Sequence, residues 1–117
     1  MARTAVTALL ALLFAGLALG GLSGSSGATG GGASQLHRVV IERFTFQPQR
    51  LEVRPGDSVE WVNRDLAPHT ASAEDGDWDS GELSKEATFR TTFSSAGDFA
   101  YFCAFHPMMR GEIVVAP

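Results

Sequence analysis

One cysteine in 117 residues means that no disulfide can close within this chain. Basic residues are also scarce: nine Lys and Arg against thirteen Asp and Glu leave a net charge of −4. Binding to phosphate needs a basic face, so nucleic acid is excluded as a partner. No stretch keeps an apolar period of 3.6 residues long enough for a helix, which removes helical bundles and α/β architectures. There is no internal repeat and no N-glycosylation triplet. What the chain does have is an apolar leader, a glycine-rich segment, and a series of short alternating stretches rich in β-branched and aromatic residues.

The leader carries a single charge, Arg3, ahead of an apolar run from Ala5 to Leu19. Small residues follow, with cleavage expected after Gly20 or Ala28. This is the pattern of an export signal, and it places residues 1–22 apart from the folded protein. The run is short against the ~20 residues of a membrane span. An uncleaved anchor is the alternative, and the only route by which the chain would touch a membrane. No cysteine follows the run and no Arg-Arg pair precedes it, which points to the general secretory route. Residues 23–35 are dominated by Gly, Ser, Ala and Thr and read as a flexible linker, because such a segment buries too little to offset its ordering entropy. Residues 36–117 are then one small, thin-cored domain. The compartment is periplasmic or otherwise outside the cytoplasm, where a lone thiol is a liability unless something occupies it.

Within that domain, Val39 to Phe46 and Leu51 to Arg54 read as strands, interrupted by Pro48 and followed by a Pro55-Gly56-Asp57 turn. Val59, Trp61 and Asn63 alternate with Ser58, Glu60 and Val62. Ala87, Phe89, Thr91 and Phe93 share one face of a later strand, and Phe99, Tyr101 and Cys103 one face of the next. Gly111 opens the last. Seven to eight short strands at regular spacing predict an all-β, Greek-key β-sandwich. Trp61, Phe89, Phe93, Phe99 and Tyr101 are expected in its core, joined by Phe44 and Phe46.

Chemistry concentrates near the C-terminus. Cys103, His106 and Met109 stand in a Cys-x-x-His-x-x-Met turn just before the last strand, and His69 follows Pro68 far upstream. A thiolate, two imidazoles and a weak axial thioether are the ligand set of a mononuclear copper site that shuttles between Cu+ and Cu2+. Met108 competes with Met109 for the axial position. His37 lies beside the linker with no partner motif and is expected in solvent. The acidic run Glu74-Asp75-Gly76-Asp77-Trp78-Asp79 has Ser80 where a calcium loop wants glycine and lacks the flanking helices, and reads as a solvated hairpin, with a docking patch for a basic redox partner as the alternative.

Three stretches make the pattern specific. Gly56-Asp57-Ser58-Val59-Glu60-Trp61-Val62-Asn63, Pro68-His69, and Cys103 to Val115 occur in the order and spacing seen in cupredoxins. Within that family the sequence is similar to the amicyanin and plastocyanin-like proteins. The resemblance implies one copper ion held by His69, Cys103 and His106, with Met109 axial because the short ligand loop places it there. It implies that Asn63 sits beside the site, tying the two ligand loops, with a hydrogen bond to the thiolate nearby. It implies an electron port at His106, ringed by Pro68, Phe105, Pro107 and Met108, for brief docking of a redox donor and acceptor. The chain would then be a monomeric one-electron carrier and not an enzyme. A copper chaperone or storage protein is the rival, although its usual Met-rich or Cys-x-x-Cys sites are missing here.

Overall fold

The computed structural model describes residues 32–117. The expected export signal at 1–22 and most of the linker at 23–35 lie outside the described residues. Eight strands form: β1 (Leu36–Glu42), β2 (Thr45–Gln47), β3 (Arg50–Val53), β4 (Ser58–Asn63), β5 (Ser72–Ala73), β6 (Thr88–Thr92), β7 (Gly97–Phe102) and β8 (Arg110–Val115). They make two four-stranded sheets, in the orders β2-β1-β4-β6 and β3-β8-β7-β5. Two neighbours run parallel, β1 with β4 and β3 with β8, and the rest are antiparallel. This is the expected all-β sandwich.

Alternation along each strand sends one set of side chains between the sheets. Val39 and Ile41 of β1, Val59 and Trp61 of β4, Tyr101 of β7 and Ile113 of β8 are fully buried there. The central strand β4 is buried on its other face as well: Glu60 lies beneath the guanidinium groups of Arg90 and Arg38, whose hydrogen bonds hold its carboxyl below the usual range. Gly111 faces Tyr101 across the β7–β8 register, and a Cβ there would come within 2.3 Å of the phenol ring. The glycine is therefore required by the ring against it, rather than by a bend into the last strand. Trp78, from the acidic loop, stacks on Trp61 with ring centroids 6.0 Å apart and closes one side of the core.

Three expectations are corrected. The stretch Val39 to Phe46 is two strands, because the chain reverses at Arg43-Phe44 in a two-residue hairpin with φ of 54° and 58°. Both residues occupy the left-handed region that hairpins usually give to Asn or Gly, at a cost of roughly 1 kcal/mol or more each. Phe44 therefore sits at the hairpin tip and is 50% exposed, outside the core, whereas Phe46 is buried. His37 is not free in solvent: its Nε2 lies 2.9 Å from Oδ2 of the buried Asp57, and its side chain is 22% exposed.

Asp57 explains the turn before β4. Pro55 and Gly56 are the middle of a tight reversal in which Gly56 takes φ of 95° and the Asp57 amide donates to the Arg54 carbonyl. The Asp57 carboxylate then accepts from the amides of Gln35 and Arg54 and from His37. The Gln35 amide, then the His37 ring and the Arg54 amide, hold this carboxyl far below the usual range. This end of the sandwich lies opposite the end where β1 and β4 finish, Ile41 pairing with Asn63.

Candidate metal centre

The far end of β4 begins the site. Asn63, fully buried, donates from Nδ2 to the carbonyls of Ala67 and Leu83 and accepts the Asp65 amide on Oδ1. Every hydrogen-bonding atom of its side chain is used, which fixes the loop from Asp65 to His69. The His69 backbone is pinned to Leu83 in both directions, at 3.1 and 2.7 Å. Asn63 thus ties the His69 loop to the segment at Leu83.

The link between the two ligand segments is made by Thr70. Its amide donates to Cys103 Sγ at 3.4 Å, and its hydroxyl accepts the Ala104 amide at 2.7 Å. The expected hydrogen bond to the Cys103 sulfur is therefore present and comes from Thr70, which sequence reasoning passed over. Its signal was its position directly after His69.

The second segment is a turn that satisfies itself. The Cys103 amide donates to the Met109 carbonyl, the His106 amide to Cys103, and the Met109 amide to His106. That spacing returns Met109 to the core beside Cys103, 6% exposed, and leaves Met108 94% exposed. Of the two methionines, only Met109 is buried next to Cys103.

Three donor atoms converge. His69 Nδ1 and His106 Nδ1 each lie 3.7 Å from Cys103 Sγ, and all three atoms lie within 4.8 Å of one another. One ion can bridge these separations, since metal–nitrogen and metal–sulfur bonds of about 2.0 and 2.3 Å together exceed 3.7 Å. Cys103 and His69 are fully buried, while His106 is half-buried.

His69 presents Nδ1 to the sulfur because Nε2 is engaged elsewhere, 2.8 Å from Asp65 Oδ2. Burial alone would raise the Asp65 carboxyl, but the Phe44 and Arg43 amides and the His69 ring outweigh it and hold it below the usual value. An ionised carboxylate only accepts, so Nε2 is the donor of this pair and Nδ1 is the nitrogen turned to the sulfur. Phe44 meets both imidazoles edge-on, its centroid 5.1 Å from that of His69 and 5.0 Å from that of His106. Asp65 and Phe44 were missed in the sequence. Asp65 had a signal, standing four residues before a ligand, whereas Phe44 is brought there by a hairpin with no sequence mark.

Leu66 is 86% exposed and Phe105 49%, and Pro68, Pro107 and Met108 are exposed as well. His37 is remote from the metal donors, and among the described residues they are the only such cluster.

Comparison with known proteins agrees with this geometry. Residues 7–115 match the model of the cupredoxin-like domain. Amicyanin from Paracoccus versutus is 34% identical over 82 residues, covering 66% of this chain and 62% of that protein. The chain thus spans a little under two thirds of the length of this curated relative. An oxidised methionine-to-leucine mutant of amicyanin superposes with a TM-score of 0.65 at 31% identity, over 76% of this chain and 87% of that one. A copper-containing nitrite reductase from Thermus scotoductus gives 0.65 at 29% identity, over 69% of this chain but only 22% of that one. The donor set and these relatives agree on the cofactor, a single type 1 copper ion.

Proposed function

Since the chain belongs to the cupredoxin family, we propose that it is an exported one-electron carrier with His69, Cys103, His106 and Met109 as its copper ligands. The observation that carries this is the pair of Nδ1 atoms each 3.7 Å from a buried Cys103 Sγ. Bound copper supplies a one-electron couple, and thiolate and imidazole suit both of its states. The protein's part is to keep the donors still. Asn63 and Leu83 hold the His69 loop, Thr70 joins it to Cys103, and the turn from Cys103 to Met109 closes on its own backbone. Donors that do not move between oxidation states leave little reorganisation to slow the transfer.

His106 is the half-buried ligand and the proposed exit for the electron, set among Pro68, Phe105, Pro107 and Met108. An exposed apolar patch suits a transient contact with a donor and then an acceptor. The chain works as a monomer and transforms no substrate. It matches only 22% of the nitrite reductase chain, so that likeness extends to one portion of the enzyme. Residues 1–22 serve export and 23–35 tether the domain.

The test is the optical and electron-spin spectrum of the copper-loaded protein. A strong thiolate-to-cupric absorption with a narrow copper hyperfine splitting is expected, and Cys103→Ser abolishes both. A copper-loaded protein without colour overturns the carrier reading and favours a copper chaperone or store.

A further inference from the structure

At the tip of the β1–β2 hairpin, Arg43 and Phe44 both hold positive φ, at 54° and 58°, with side chains that gain nothing from that region. Something must over-determine this conformation, and the partner is Asp65. Its Oδ1 accepts the Arg43 amide at 2.8 Å. Its Oδ2 accepts both the Phe44 amide at 3.0 Å and His69 Nε2 at 2.8 Å. One carboxylate therefore joins a strained hairpin to a buried imidazole. The strained residue Phe44 in turn places its ring edge against His69 and His106, at interplanar angles of 89° and 85°. Strain at a site of this kind persists where the surroundings enforce it, and here it is spent on contact with the two histidines.

We propose that Asp65 is a positioning residue that sets the donor geometry before metal arrives, by locking the His69 ring with Nδ1 turned to Cys103 and by holding Phe44 as a brace across both imidazoles. The inference rests on His69 and His106 being ligands, but its mechanical content does not. A carboxylate has enough acceptor sites for all three donors, whereas a carboxamide offers one oxygen and an NH2 group. Asp65→Asn therefore leaves at least one of the three donors facing a donor. Asp65→Ala removes every acceptor and frees the hairpin to relax its φ angles. Asp65 touches no metal itself, and what it sets is the ring of its neighbour and the place of Phe44.

The experiment uses the full chain in the metal-free state, followed by nitrogen-15 resonance. In the wild type, the His69 ring shows a protonated Nε2 and a bare Nδ1, and the Arg43 and Phe44 amides are protected from exchange. In Asp65→Ala, exchange at both amides rises about tenfold or more and the fixed His69 tautomer gives way to a mixture. In Asp65→Asn at least one of the three signals is lost. Should Asp65→Ala fail to fold, Asp65→Asn carries the test. Phe44→Ala is expected to keep the His69 tautomer while a cuprous chelator removes copper several times faster than from the wild type. Unchanged tautomer and unchanged protection in both Asp65 variants overturn the proposal, whatever the metal spectrum proves to be. A colourless loaded protein with the tautomer lost as described overturns the carrier reading and leaves this one standing.

Discussion

The two ends of the sandwich use the same hydrogen-bond device for different ends. At the end where β1 and β4 begin, the Asp57 carboxylate gathers two backbone amides, from Gln35 and Arg54, and the Nε2 of His37. At the other end, the Asp65 carboxylate gathers two backbone amides, from Arg43 and Phe44, and the Nε2 of His69. Both fix a loop to a neighbouring segment. They differ in what the second ring nitrogen meets. His69 is fully buried and turns Nδ1 to the only thiol in the chain, whereas His37 is 22% exposed at the surface. A carboxylate–histidine pair is thus a structural staple first. It tunes a metal only where another donor waits on the far side of the ring.

Asn63 frames the metal end alone, and its loss has the largest expected effect. Asn63→Ala strands the Ala67 carbonyl and the Asp65 amide and leaves the Leu83 carbonyl with the His69 amide alone, and a loss of about 3 kcal/mol of stability is expected. Denaturant unfolding of the metal-free protein measures it. Hydrogen exchange should quicken at Asp65 and His69 while the Gln35 and Arg54 amides stay protected. Equal quickening at both ends would mean that the two ends are not separate units.

A milder change separates the ligand turn from the frame. Met109→Leu keeps volume in the core and should cost under about 1.5 kcal/mol, yet shift the reduction potential and the visible spectrum. Met108→Leu, at an exposed position, should change neither. Voltammetry on the two variants decides which sulfur faces the copper, and a shift confined to Met108→Leu would reverse the axial assignment.

The smallest effect on the copper site is expected at the opposite end. The folded Asp57 carboxyl is depressed, so the stability it contributes is fully present above the unfolded value of about 3.9 and is lost as pH falls below it. Asp57→Asn should therefore flatten the acid limb of the stability curve and leave the copper spectrum unchanged. An acid limb identical to that of the wild type would show that Asp57 does not carry this dependence.

Legibility in the sequence followed the range of the interactions. The ligand turn from Cys103 to Met109 was readable because its hydrogen bonds close within itself, so spacing alone fixes its shape. Strand alternation was readable for the same reason: period two is a property of the local backbone. Trp61, Phe93 and Tyr101 fell in the core as expected. The hairpin at Arg43-Phe44 was hidden because its residues do not prefer the backbone they adopt, and what holds them is a carboxylate some twenty positions away. His37 was misjudged similarly, since its partner Asp57 is distant in the chain and adjacent only across the β1–β4 register.

By itself the sequence determined the donor inventory, the tight ligand turn, the strand pattern and the family, all of which depend on residue identity at short spacing. Tertiary structure alone decided which face of His69 meets the sulfur, that Thr70 joins the ligand segments, and that Phe44 lies against both imidazoles. The physical reason is that ring orientation and strained backbone are set by contacts between segments far apart in the chain, and those contacts exist only once the two sheets have closed.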